Sequence, residues 1–130
     1  MIGAWSEHAS TFLILLAAIS AIFLSIPIFV APLRWAQILG WAIPAQTDLA
    51  VYFGRCLGGI AIVLNAITLR AGLTGEGEVF VFQLMLAVAS ILTGVHIWGA
   101  VRGTQPVSET IEIAMWAGLV MLTLACWPVA

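Results

Sequence analysis

YFGRCLGGIAIVLNAITLR, residues 52–70, is the stretch that decides the fold. It is too apolar for a surface helix of a soluble domain and too long for a buried strand. One arginine, Arg55, lies inside the apolar run, where an ionisable group is costly unless a neighbouring group satisfies it. We therefore interpret this stretch as a membrane-spanning helix and the rest of the chain as the helices that surround it.

The composition of the whole chain supports a membrane location. Of its 130 residues, 63% are hydrophobic and 8% are charged, whereas soluble domains have about 45–50% apolar and about 25% charged residues. So few charged side chains do not cover a water-facing surface. The length allows four spans of about 20 residues each, and we predict a single integral membrane domain, residues 1–130, embedded in the lipid bilayer.

Apolar runs and turn residues predict an all-α fold, an antiparallel four-helix transmembrane bundle with a short interfacial helix between helices 1 and 2. The transmembrane helices are predicted at residues 9–30, 49–70, 78–100 and 109–127, and the interfacial helix at 33–43. Pro27 is expected to kink or end the first helix. The six Trp residues fall mostly near helix ends, where Trp anchors a helix at the membrane surface.

The few charges predict an orientation and exclude one class of partner. The net charge is −2 and no basic cluster is present, so we expect no nucleic-acid partner. Arg34 and Arg102 lie in loops on one side, whereas Arg70 lies on the other. The positive-inside rule then places both termini on the non-cytoplasmic side, and we expect the membrane to be a bacterial inner membrane.

Ionisable residues on three predicted helices form the strongest candidate site. Arg55, His96, Glu109 and Glu112 are predicted at similar depths near one membrane face, at 1.5 Å per helical residue. One interpretation is a binding pocket for a head group, a quinone carbonyl or a proton. The other is a structural ion pair between Arg55 and a glutamate, which would offset the desolvation of the guanidinium.

His96 has further possible roles. By helical angle it lies about 140° from the polar stripe on its own helix, so it is expected to face another neighbour, the lipid or a partner protein. Haem within one chain is not expected, because His8 is predicted on the opposite membrane side and b-type haem needs two axial ligands. A quinone, a lipid, or a pigment shared with a partner remains open as a cofactor.

Small and amide side chains predict where helices pack. Gly54 and Gly58 form a GxxxG motif, reinforced by Gly59, which favours close helix approach. Asn65 and Gln83 are predicted at matching depth and are expected to form an interhelical hydrogen bond. Helix 3 also carries a small, polar stripe: Gln83, Ala87, Ser90 and Gly94.

Motifs for common chemistry are missing from the sequence. It contains no Ser-His-Asp set, Walker loop, dinucleotide fingerprint or zinc motif. Cys56 and Cys126 are predicted near opposite membrane faces and do not have metal-binding spacing. We therefore predict no catalytic residue and no metal ligand, and whether the protein is an enzyme stays open.

The layout of residues 39–97 resembles DoxX-like small membrane proteins. The similarity is carried by LGW at 39–41, by the run from Asp48 to Leu64 with Gly54, Arg55, Gly58 and Gly59, by MLAVA at 85–89 and by His96. The resemblance implies a four-helix membrane protein, in some members a subunit associated with quinone-linked respiratory enzymes. Family members often have an acidic residue near the position of Arg55, so no site is carried over.

These observations predict a small non-catalytic accessory or assembly subunit. It would pack against a larger membrane complex, of respiratory or photosynthetic type, or associate with itself. The alternative is a lipophile- or quinone-handling enzyme with a polar pocket at Arg55, Glu112 and His96. A second alternative is a small dimeric transporter, although no ionisable residue lies within helix 1 and no paired broken helices are evident.

Overall fold

The computed structural model describes residues 2–129, and all regular structure in that part is helical. Four helices are long and apolar enough to cross a membrane, so the predicted all-α fold class is confirmed. Their ends lie within about four residues of the predicted ones. The helices are α1 (Ser6–Val30), α2 (Pro32–Ile38), α3 (Asp48–Thr74), α4 (Glu78–Arg102) and α5 (Val107–Ala125).

Helix α2 is shorter than the predicted interfacial helix at 33–43, and Gly40 is the reason. Gly40 has φ +86°, a left-handed conformation that suits glycine and ends helices. The N–H of Trp41 donates to the Ala36 carbonyl (3.0 Å) and that of Gly40 to the Gln37 carbonyl (3.0 Å). This pair of hydrogen bonds is a Schellman motif, which stops α2 at Ile38.

Helix α1 continues through Pro27 to Val30 rather than ending there. Pro27 has no N–H, so the carbonyl of Phe23, four residues earlier, loses its usual helical donor. The indole Nε1–H of Trp35 donates to that carbonyl instead (3.3 Å). A π-helical segment, Ala21–Ser25, lies directly before the proline and absorbs the local change in helical pitch.

The long helices pack as two pairs, α1 with α3 and α4 with α5, whereas α3 and α4 have little contact with each other. The α1–α3 contact depends on glycine. A Cβ added at Gly58 would lie 2.5 Å from the Phe29 backbone nitrogen, and one at Gly54 would lie 2.5 Å from Pro32 Cβ. Only glycine therefore allows α3 to approach the end of α1, at Phe29, and the start of α2, at Pro32, so closely.

The two pairs meet at the end of the molecule that carries both termini. The backbone N–H groups of Gly3 and Trp5 donate to the carbonyls of Leu124 (2.9 Å) and Ala125 (2.8 Å). Next to them lies the hydrophobic core, to which all four long helices or their ends contribute: Ala9, Leu13, Ala71, Val81, Phe82 and Cys126. Residues 3–5 and residues 124–125 thus lie at one end, as an even number of spans requires.

Candidate functional site: a buried histidine between two glutamates

Helix α4 turns His96 inward and the polar stripe outward. Phe82, Ala89 and His96, spaced seven residues apart, are all buried, and a seven-residue spacing keeps side chains on one helix face. Gln83, Ala87, Ser90 and Gly94 are exposed. Of the three neighbours expected for His96, the structure therefore has another helix of the chain and not lipid or a partner protein, because α5 packs on the face of α4 that carries the histidine.

Two glutamates of α5 surround the inward-facing histidine. The Nε2 atom of His96 lies 3.1 Å from Glu109 Oε2 and 3.5 Å from Glu112 Oε2. The three side chains are only 11%, 13% and 18% exposed, respectively. Glu109 and Glu112 are three residues apart on one helix, so both carboxylates lie on the same face. We call these three residues the His–Glu cluster.

The backbone fixes the tautomer of the histidine. His96 Nδ1 lies 2.7 Å from the carbonyl oxygen of Leu92, one turn earlier on α4. A carbonyl oxygen only accepts hydrogen bonds, so Nδ1 carries a proton and donates it. Nε2 is left facing the two carboxylates. It either carries a second proton, which makes an imidazolium ion, or presents a lone pair to whatever lies between the acidic groups.

The linker between α2 and α3 covers the His–Glu cluster. The indole Nε1–H of Trp41 donates to Glu109 Oε1 (2.7 Å). The hydroxyl of Ser108 donates to the carbonyl of Leu39. These bonds connect the α1–α3 pair to the start of α5. The cluster therefore lies at a second contact between the two helix pairs, at the opposite end from the hydrophobic core.

Trp116 forms the inner wall of the cluster. It lies one turn after Glu112, its ring centre is 6.0 Å from that of His96, and it is 9% exposed. Its indole Nε1 is buried and approaches the Glu112 carboxylate, but no hydrogen bond of normal geometry forms in the part of the chain described. Trp116 is therefore not an interface anchor, and it carries a buried donor without a partner.

Arg55 does not join the cluster. Its side chain is exposed and lies in an open groove with Phe29, Asp48 and Tyr52. No salt bridge of Arg55 occurs among residues 2–129, so the expected ion pair with Glu109 or Glu112 is not formed. The reason is the pairing of helices: α3 packs on α1, not on α5. A long Arg side chain at this depth reaches the membrane surface by extending along the helix.

Asn65 and Gln83 do not bond to each other either. The Asn65 amide donates to Ser25 Oγ (2.7 Å) and Ser20 Oγ (3.2 Å), both at the π-helical segment of α1. Gln83 is exposed on α4. An equal depth in the membrane does not bring the two amides together, because Asn65 faces α1 whereas Gln83 faces outward from α4.

The glycines of α3 lie where α1 crosses it. Gly54 and Gly58 form the closest approach described above, and Gly59 lies beside the Phe29 ring, 3.6 Å from the place a Cβ would take. Gly72 forms a third close approach, because a Cβ there would lie 2.9 Å from Ile14 Cγ1. The packing role of Gly72 was not predicted.

Sequence reasoning also missed three polar partners in the cluster region. The sequence predicts Trp41 and Trp116 as anchors at the membrane surface and assigns Ser108 no role at the site, yet each contacts or covers the cluster. One signal was available: the spacing of Glu112 and Trp116 places the indole on the carboxylate face.

Comparisons with protein-family models, with curated proteins and with solved structures found no match. The resemblance to DoxX-like proteins stays a prediction.

Proposed function

We propose that this chain is a non-catalytic accessory or assembly subunit that associates laterally with another transmembrane helix. The proposal rests on the outward-facing stripe of α4: Gln83, Ala87, Ser90 and Gly94. In a bilayer this face meets either lipid or another protein. An amide and a hydroxyl gain hydrogen bonds from a helix, whereas hydrocarbon offers none.

The glycines of the two helix pairs support this proposal. A Cβ at Gly54, Gly58 or Gly72 would lie within 3.0 Å of a neighbouring helix, whereas at Gly94 and Gly118 it would meet nothing within 4 Å. Small residues in membrane helices typically mark close helix contacts. The glycines of α3 have such contacts within the chain, and the α4 stripe has the same composition without one.

Photo-crosslinking in native membranes tests the proposal. A photoreactive side chain at Ser90 should give a protein adduct, whose mass distinguishes a second copy from a larger subunit. The matched control is Val63, which is exposed on α3 and lies at a similar depth, about 11 or 12 residues from the same membrane face. It should give lipid adducts only.

A substitution within the outward-facing stripe of α4 tests whether the protein adduct depends on that surface. Gly94→Leu should abolish crosslinking from position 90 without disturbing the fold, because a Cβ at this exposed position meets nothing within 4 Å in the chain. Val95→Leu, at a neighbouring exposed apolar position, should leave the adduct unchanged. Equal adducts from positions 63 and 90, or an adduct that persists in Gly94→Leu, would contradict the proposal.

The alternative function, a lipophile- or quinone-handling enzyme, loses one of its three proposed residues. Because Arg55 lies outside the His–Glu cluster, a quinone or lipid pocket would have to use His96 and Glu112 alone. The orphaned indole N–H of Trp116 is the one observation that favours it, since a carbonyl oxygen is a suitable acceptor. We rank this alternative below the accessory function.

A further inference from the structure

We infer that His96, Glu109 and Glu112 bind one divalent transition-metal cation, with Zn²⁺ as the best match. One ligand atom from each side chain lies within 4.8 Å of the other two. The inference is independent of the accessory function, because it concerns the inner side of α4 and not the outward-facing stripe.

The distances fit metal coordination. Zn²⁺ binds imidazole nitrogen and carboxylate oxygen at about 2.0–2.2 Å in a tetrahedron, which separates adjacent ligand atoms by about 3.3–3.5 Å. The separations of His96 Nε2 from the two carboxylate oxygens, 3.1 and 3.5 Å, lie close to this value. The third separation, between the two carboxylate oxygens, is at most 4.8 Å, so binding a cation would draw these two oxygens together.

The surrounding hydrogen bonds are those of a metal-binding histidine. Protein metal sites typically orient the imidazole by a hydrogen bond from its other nitrogen to a carbonyl or carboxylate. His96 Nδ1–H donates to the Leu92 carbonyl and leaves Nε2 for the metal. Glu109 is oriented in turn by Trp41 Nε1–H, which contacts Oε1 and leaves Oε2 facing the histidine.

A divalent cation satisfies the charge of this cluster. Two carboxylates with a neutral imidazole and a divalent cation have no net charge. An uncompensated charge in the low-dielectric interior of a membrane protein is costly. The mixed nitrogen and oxygen ligands suit Zn²⁺, Fe²⁺ or Mn²⁺ better than Mg²⁺ or Ca²⁺, which prefer oxygen alone.

Trp116 lies beside the second carboxylate. Its buried indole N–H approaches Glu112, although it makes no hydrogen bond of normal geometry in the described chain. A small shift of the Glu112 side chain would let the indole N–H orient that carboxylate, as Trp41 orients Glu109. Three protein ligands leave one tetrahedral position open, as in many zinc sites.

Metal binding to the purified, chelator-treated protein in mild detergent tests this inference. Calorimetry with Zn²⁺ should show one saturable site per chain, and Co²⁺ should give the visible absorption of a low-symmetry nitrogen and oxygen site. Glu112→Gln and His96→Ala should each weaken binding by about 100-fold or more, because even residues that only orient a ligand contribute 10- to 100-fold. Affinity should fall as the pH is lowered, because the ligands must be deprotonated.

The chain contains a matched control at its other end. His8 Nε2 lies 3.8 Å from Glu7 Oε1, but both side chains are about two-thirds exposed. Glu7→Gln and His8→Ala should leave the affinity within about twofold of the unaltered protein, since exposed pairs without a preorganised second shell bind metal weakly.

Two further variants keep the test valid if His96→Ala fails to fold. Trp41→Phe and Trp116→Phe remove the indole N–H but keep an aromatic side chain and all three ligands, and each should weaken Zn²⁺ binding by about tenfold. Helicity and a single elution peak confirm the fold of every variant. Absence of a saturable site, or a site that persists in folded Glu112→Gln or is lost only in His8→Ala, would overturn the inference.

Discussion

Single side chains in this protein are positioned by what their helix packs against. His96 is buried because α5 covers its face of α4, whereas Arg55 is exposed because α3 packs on α1 with another face. Both residues lie inside long apolar runs. The histidine contacts two carboxylates within the chain, while the arginine has a flexible side chain that reaches water on its own.

We predict that Arg55→Met changes the free energy of unfolding in detergent by no more than about 0.5 kcal/mol, as for other exposed positions. No ionic partner is lost, because Arg55 forms no salt bridge within residues 2–129. Thermal or denaturant unfolding followed by helicity measures the change. Asn65→Ala serves as the positive control, since it removes two hydrogen bonds worth about 0.6 kcal/mol each in membranes. A cost for Arg55→Met as large as that of Asn65→Ala would contradict the exposed position of the guanidinium.

At the scale of elements, α1 is the helix with the most local irregularity. A π-helical segment and a proline follow each other within it, and two side chains from other helices compensate. Asn65 donates to the hydroxyls of Ser20 and Ser25, and Trp35 donates to the carbonyl freed by Pro27. Hydrogen-bonding groups released inside a membrane helix must find such partners, because lipid supplies none.

We predict that Trp35→Phe destabilises the protein by about 0.6 kcal/mol, the average for side-chain hydrogen bonds in a membrane protein, and by no more than about 1.7 kcal/mol, the largest value measured. In the Pro27→Ala background the same substitution should cost clearly less, because the restored N–H of residue 27 can donate to the Phe23 carbonyl. A double-mutant cycle measures the coupling between the two positions. Equal costs in both backgrounds would show that the indole stabilises α1 only by packing.

At the scale of the whole molecule, the two helix pairs are connected at both ends and separate between them. The termini and the hydrophobic core hold one end, and Trp41 and Ser108 connect the other. Arg34 and Arg102 lie at the end that carries the His–Glu cluster, opposite to both termini. The proposed metal site therefore lies near the membrane face that the positive-inside rule assigns to the cytoplasm.

We predict that both termini lie on the non-cytoplasmic side. An alkaline phosphatase fused after residue 130 should be active, and a fluorescent protein fused there should stay dark, with the reverse result for fusions after residue 104. Replacing Arg34 and Arg102 by Ala should mix the two orientations, because the bias is one or two residues. A fluorescent fusion at residue 130 of the unaltered chain would refute the predicted orientation.

The sequence by itself determined the number, length and approximate ends of the spanning helices. These follow from apolar composition, from 1.5 Å of rise per residue and from turn residues, all of which are local properties. The depth of each polar residue follows in the same way, and the sequence predicts a common level for Arg55, His96, Glu109 and Glu112, of which only the last three form the cluster. The GxxxG motif at Gly54 and Gly58 likewise indicated a close helix contact, although not with which helix.

Only the tertiary structure decided which helices are neighbours and which face of each helix points inward. In lipid, an apolar face gains little by turning toward the protein, since the surrounding hydrocarbon is as apolar as leucine. The apolar pattern of α4 therefore did not distinguish the His96 face from the Ser90 face. The structure shows that α5 packs against the face with Phe82, Ala89 and His96. This packing brings the histidine, the two glutamates and Trp116 together.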